Sequence, residues 1–234
     1  MNENHKILAF DTSSDRGSVA LLEGATLRAE LRSNTDTGHS MILLDAVDFL
    51  LKRLRWELKD LTLIASGIGP GSFTGIRIGV ATGLGLAQSL KIPFAGVSGL
   101  DVLARRAAQS ARNGRIGVLL DARRGQFYFE GYESENGKIR RRGKPALINA
   151  SDVKNYLADA AWITGDLNEE QLTVTAMSFP RRARWLSVDL FLAEGVGRIG
   201  LERKRTWRYG DFLAAEPLYI RPPDAVKNRR EKTR

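Results

Sequence analysis

The sequence predicts an α/β fold assembled from two similar halves, and three observations point there. The run Lys6 to Phe10 is apolar and β-rich, ends at Asp11, turns through Thr12 to Arg16 and returns as Ser18 to Leu22. The same order recurs later: a strand Ile116 to Leu120, Asp121, Arg124-Gly125 and a return strand Gln126 to Tyr132. Written out, ILAFDTSSDRGSVALLE and GVLLDARRGQFYFEGYE each read strand, Asp, short turn, Arg-Gly, strand, Glu. Between the two, helical and strand patterns alternate, which is the signature of a mixed sheet with helical crossovers.

The remaining elements follow from local signals. Glu23-Gly24 turns the chain into a third strand at about Thr26 to Arg32. Thr37-Gly38-His39-Ser40 opens a long helix that runs to about Arg55, and Leu61 to Ile68 is an apolar strand leading into a glycine-rich turn. A second long helix covers Phe73 to Leu90, a short strand Ile92 to Val97 and a third helix Leu100 to Ala111. In the second half a helix is expected at about Ser151 to Ala158, a strand at Ala161 to Thr164 and a helix at about Leu186 to Leu201. A proline-bearing segment, Glu216 to Pro223, closes the chain. The expected organisation is an N-terminal lobe 1–104, a smaller lobe 105–220 and a basic tail 221–234. Two halves that each open on an Asp-bearing hairpin suggest the actin-like, ribonuclease H-like duplicated two-lobed fold (the ASKHA superfamily of sugar kinases, Hsp70 and actin). In its active members those turns handle phosphate and metal, so Asp11 and Asp121 are catalytic candidates. The alternative is an Asx-turn, in which each carboxylate accepts from nearby backbone N–H groups.

Composition narrows the classes. The 234 residues are 43% hydrophobic and 27% charged and contain no cysteine, which excludes disulfides, zinc thiolate sites and thiol catalysis. The stretch before Asp11 is too short for a signal peptide, and no apolar run approaches the roughly 20 residues that span a bilayer. A cytoplasmic protein without a membrane partner is expected. The net charge is +9, and Arg221 to Arg234 carries six basic residues against two acidic ones, so almost half of the excess sits in the tail. Arg140, Arg141, Arg142 and Lys144 form a second cluster and Arg181, Arg182 and Arg184 a third. Such clusters either attract RNA phosphates or merely solubilise the surface. No aromatic-interleaved RNA-binding motif accompanies them in the sequence.

The segment from Gly67 to Gly75 lies where phosphate loops occur but lacks the spacing and lysine of a Walker loop, since Ile76 follows Gly75. Arg77 beside the helix start is compatible with an anion. The preferred reading is a tight turn with Ser72 or Thr74 as N-cap. A formal Gly-x-Gly-x-x-Gly at Gly195, Gly197 and Gly200 falls inside a helical stretch, which defeats a dinucleotide reading. The only histidines are His5 and His39, so no helical metal pair exists and no cofactor is expected.

The two long helices carry the strongest signal. Met41, Ile42, Leu43, Leu44, Ala46, Val47, Phe49, Leu50, Leu51 and Leu54 make the first apolar over most of its circumference. Asp45, Asp48, Lys52 and Arg55 recur at spacings of three and four and form one narrow wet stripe. Burying each surplus large side chain contributes about 1.5–3 kcal/mol, so a cover is expected from a second domain or another protein. In the second helix Gly75, Gly79, Gly83 and Ala87 recur every four residues. That ridge suits either a partner's backbone or close packing on the protein's own sheet.

With GIGPGSFTGIRIGVATGLGLA on the page, the chain resembles the bacterial TsaB (YeaZ) family of tRNA threonylcarbamoyladenosine biosynthesis proteins. ILAFDTSSDRGSVALLEG, His39-Ser40, IPFAGVSGLDVLA, LLDARRGQFYFEGY and Pro217-Leu218-Tyr219-Ile220-Arg221 extend the likeness through most of the chain. Asp45 departs from it, standing where the family has proline. The resemblance implies a non-catalytic subunit that binds and activates the transferase TsaD through the first two helices, with the ATPase TsaE in the same assembly. It implies partner contacts at His39, Leu44, Leu51, Phe73, Gly75, Arg77, Gly79 and Gly83. A homodimer through the same helices is implied when the partner is absent, and tRNA is reached indirectly or through the basic tail. The competing reading is an autonomous actin-like ATP-dependent kinase or carbamoyl-type transferase using Asp11 and Asp121.

Overall fold

A computed structural model describes residues 5–34, 39–203 and 216–221, without the side chains of residues 39–42. The chain divides into two units, Met1–Val102 with Leu190–Leu218 and Leu103–Asp189 with Tyr219–Arg234.

The first unit contains β1 (Lys6–Asp11), β2 (Arg16–Glu23), β3 (Thr26–Asn34), α1 (His39–Leu54), β4 (Leu63–Gly67), α2 (Phe73–Leu90) and β5 (Phe94–Val97). Its five-stranded sheet has the order β3-β2-β1-β4-β5. The pairs β1/β2 and β2/β3 are antiparallel, while β1/β4 and β4/β5 are parallel. Apolar residues run continuously through β1 and β2 because both faces of the sheet are covered. Leu8, Phe10, Val19 and Leu21 join Leu43, Ala46, Val47, Leu50, Leu51, Ile76 and Val80 of α1 and α2 in one buried cluster.

The helix α3 (Gly99–Ser110) follows β5 and runs across the division between the units. The second unit then holds β6 (Gly114–Asp121), β7 (Gln126–Glu135), β8 (Lys138–Arg141), β9 (Ala146–Asn149), α4 (Val153–Tyr156), β10 (Trp162–Asp166), α5 (Glu169–Ala176) and β11 (Arg184–Trp185). Its sheet order, β11-β10-β6-β7-β8, repeats the first sheet strand for strand, with β9 pairing β7 as an addition. The senses repeat as well: β6/β7 and β7/β8 are antiparallel, β6/β10 and β10/β11 parallel. The duplication suggested by the two Asp-bearing hairpins is therefore a duplication of whole sheets.

One boundary differs from the expected lobes. Helix α6 (Ala193–Glu202), expected within 105–220, belongs to the first unit. A Cβ on Gly197 would lie 2.5 Å from Leu22 Cδ1 and 3.1 Å from Ala9 Cβ, and one on Gly200 3.1 Å from Ala65 Cβ. Gly197 and Gly200 of the Gly-x-Gly-x-x-Gly pattern are thus pressed against β1, β2 and β4, while Gly195 faces Val102. Arg203 anchors the end of α6, donating to the Gly96 carbonyl at 2.9 Å and to the Asp101 carboxylate at 3.0 Å. The basic tail lies outside the described residues from position 222 onward. No helix among the described residues is long and apolar enough to cross a membrane.

Candidate functional site

The turn after β1 and the loop before α2 interlock. Asp11 is fully buried, and the Ser13 hydroxyl donates to its carboxylate, 3.0 Å from either oxygen. Gly67, at the end of β4, passes so close that a methyl group there would overlap Asp11 Oδ1. In the same turn, Thr12 Oγ1 donates to the Gly75 carbonyl at 2.8 Å, and Ser72 N donates to the Ser13 carbonyl at 2.7 Å. A methyl on Gly71 would overlap the Ser13 carbonyl oxygen, and one on Gly75 the Thr12 carbonyl oxygen. Ser72 is the N-cap of α2 and accepts from Gly75 N at 3.2 Å, as expected of a tight turn. The glycine-rich loop is therefore filled by the protein's own Asp11–Ser13 turn rather than shaped around a phosphate. Arg77, the residue compatible with an anion, lies over the Phe73 ring at 3.7 Å.

The glycine ridge continues inward. A Cβ on Gly79 would lie 2.6 Å from Thr12 Oγ1 and 3.1 Å from Ser66 Oγ, and one on Gly83 2.5 Å from the Phe94 ring. Of the two readings of the ridge, close packing on the molecule's own sheet is the one the structure takes. Gly75, Gly79 and Gly83 are buried and do not belong to an outer face. Leu51 is also buried, at 6% exposure, within the core cluster. Most of the apolar circumference of α1 is absorbed in the same way, by β2, β3 and α2.

What stays outside is smaller and sharper. On α1, Leu44 and Phe49 are 54% and 53% exposed, flanking the exposed Asp45, Asp48 and Lys52. On α2, Phe73 is half-buried and Arg77 exposed. Of the eight expected contact residues, Leu44, Phe73 and Arg77 reach the surface, while the side chain of His39, the first residue of α1, lies outside the described residues. Phe49, one of the apolar residues of α1, is not among the expected contacts. Its signal is its place between Asp45 and Lys52, on the wet stripe rather than the apolar arc.

In the second unit the matching turn is open. Asp121 is exposed, and its Oδ1 accepts from Arg123 N at 2.7 Å, the Asx-turn alternative. Arg123, Arg124 and Gly125 all have left-handed φ, at 60°, 57° and 68°. Arg221 braces the turn, donating to Gln126 Oε1 at 2.6 Å. Beside it, burial pushes the Tyr128 phenol above its ordinary pKa; Arg221 opposes this and Asp121 adds to it. Among the described residues, no three His, Asp or Glu side chains converge as a metal site would require.

Comparison with known proteins gives a consistent picture. The family model for TsaD, tRNA N6-adenosine threonylcarbamoyltransferase, matches residues 33–190. The tRNA threonylcarbamoyladenosine biosynthesis protein TsaB of Bacillus subtilis is 41% identical over 57% of this chain, and that of Escherichia coli 37% identical over 68%. The chain spans 57% of the length of the first relative and 70% of the second. Among solved structures, YeaZ from Pseudomonas aeruginosa is 29% identical with a TM-score of 0.74, covering 92% of this chain and 99% of that one. At the level of fold alone, a ROK family protein from Streptococcus pneumoniae aligns over 86% of this chain at a TM-score of 0.50, which fits the actin-like class.

Proposed function

The chain belongs to the TsaB (YeaZ) family, and on that premise we propose that it serves tRNA threonylcarbamoyladenosine biosynthesis as a non-catalytic subunit. It docks on the TsaD transferase through the outer faces of α1 and α2, with the TsaE ATPase in the same assembly. One observation supports this reading above the others: the Asp11 turn is filled by Gly67, Gly71 and Gly75, while Leu44 and Phe49 stand more than half exposed on the adjoining helix. A carboxylate held by Ser13 and covered by backbone is a structural clamp. A pair of large apolar side chains around a charged stripe is what an interface core and rim look like before a partner arrives. In the absence of the transferase, a second copy of the chain takes the same face.

The test is a Leu44→Asp/Phe49→Asp double variant. Both positions are exposed, so the melting temperature should stay near that of the parent, while co-elution with the transferase is lost. Survival of the complex would place the interface elsewhere. The role in the pathway is read separately, as the level of threonylcarbamoyladenosine in tRNA after depletion and rescue. The competing autonomous kinase predicts magnesium-dependent nucleotide binding by the isolated protein, which calorimetry would detect.

A further inference from the structure

Resting on the tRNA reading above, we infer that the Phe179–Trp185 edge of the second unit is a contact surface for the RNA phosphate backbone. From Gln171 to Val188 the chain carries Arg181, Arg182 and Arg184 and no acidic residue. Ala183 N donates to the Pro180 carbonyl at 2.8 Å, closing a turn that puts Arg181 and Arg182 at its two corners. Arg184 N then donates to the Ala161 carbonyl at 3.1 Å and Leu186 N to that of Ile163 at 2.8 Å. The third arginine thereby starts β11, held in register beside β10. All three arginines are exposed, while Ala183 and Trp185 pack onto the core cluster of this unit.

These charges differ from Arg115, Arg141 and Arg142 of the same unit. Arg115 and Arg142 both pair with Asp159 and Glu133, and Arg141 reaches Glu130 at 3.5 Å. Among the described residues, Arg181, Arg182 and Arg184 have no ion-pair partner. Next to them Phe179 and Trp185 stack, with ring centroids 6.2 Å apart and planes inclined by 5°, both partly exposed. Five residues separate the two rings in the sequence, which hides the pairing; the Pro180 turn brings them together. Uncompensated guanidinium groups for phosphates beside flat rings for stacking is the chemistry of RNA recognition. A membrane surface would need an amphipathic helix, and the adjoining α5, eight residues long, adds only Val174 to the exposed Met177 that follows it.

The experiment uses the full chain, alone and with the transferase, titrated into unmodified tRNA at 50 and 200 mM salt by fluorescence anisotropy. In R181A/R182A/R184A the affinity at low salt should fall roughly tenfold or more, and the log–log salt slope should become shallower by about 2. Co-elution with the transferase should persist, so a failed docking reading shows itself independently. R181K/R182K/R184K should keep most of the binding, and R229E/R230E in the tail should leave the three-arginine effect in place. Four results would each overturn the inference: unchanged affinity and slope in the alanine variant, no RNA binding by the parent at 50 mM salt, a loss confined to the tail variant, or equal arginine-dependent capture by phosphatidylserine vesicles.

Discussion

The two aspartate turns sit at the same place in two copies of one sheet and have opposite surroundings. After β1 the Asp11–Ser13 turn is gripped from outside by Gly67, Gly71 and Gly75, and its carboxylate is out of reach of solvent. After β6 the Asp121 turn is solvent-exposed, and a methyl on Gly125 would meet nothing within 4 Å. The same local sequence, strand-Asp-turn-Arg-Gly-strand, therefore serves packing in one half and a solvent-facing hairpin in the other. The helices that follow the matching strands differ: α2 after β4 starts on glycines that press on the turn, whereas α5 after β10 starts on Asn168, Glu169 and Glu170.

That contrast can be broken most directly at the glycines. Gly75→Ala forces a methyl into the Thr12 carbonyl and should destabilise the protein by about 3 kcal/mol or more in chemical denaturation. Gly125→Ala has space and only a left-handed φ against it, so a loss of about 1 kcal/mol is expected. An equal effect at both positions would mean that the two turns are packed alike. Next comes Asp11→Ala, which leaves the buried Ser13 hydroxyl without its acceptor and should cost about 1–3 kcal/mol. The matching Asp121→Ala removes an exposed Asx bond and should stay within about 0.5 kcal/mol. Ser72→Ala removes the N-cap of α2 and should cost about 1 kcal/mol, as should Asn168→Ala at the matching cap of α5 after β10. The smallest effect is spectroscopic. Asp121→Asn takes away one negative charge that raises the Tyr128 pKa, so the phenol should titrate lower by NMR, yet still above its ordinary value because burial is the larger cause.

Much of this was legible in the residues. Helix α2 has its expected limits, Phe73 and Leu90, because Ser72 caps its start and the left-handed Lys91 ends it. Both hairpins were readable from apolar, β-rich runs that end on an Asp and from the turn residues after it. The sense of the glycine ridge was not, because a four-residue spacing defines a face without naming its neighbour, and here the neighbours Thr12, Ser66 and Phe94 come from three different segments. A Gly79→Leu exchange, which an outward ridge would accommodate, instead drives a side chain into the sheet. Strands β8 and β11, four and two residues long, were too short and too charged to carry a pattern. The expected helix from Leu186 to Leu201 starts late, at Ala193, since the chain first runs out of β11 before it can turn.

The position of α6 has a consequence for biogenesis. Ala193 N donates to the Ser18 hydroxyl at 3.0 Å across 175 positions of sequence, and Gly197 rests on Leu22 and Ala9. During translation the first five strands emerge long before the segment that caps their far side. Until then one side of that sheet displays bare aliphatic residues to its surroundings, and the nascent chain must either wait for its own latecomer or borrow a chaperone. Premature termination just before residue 193 would thus release a sticky half-finished product rather than a shorter working one.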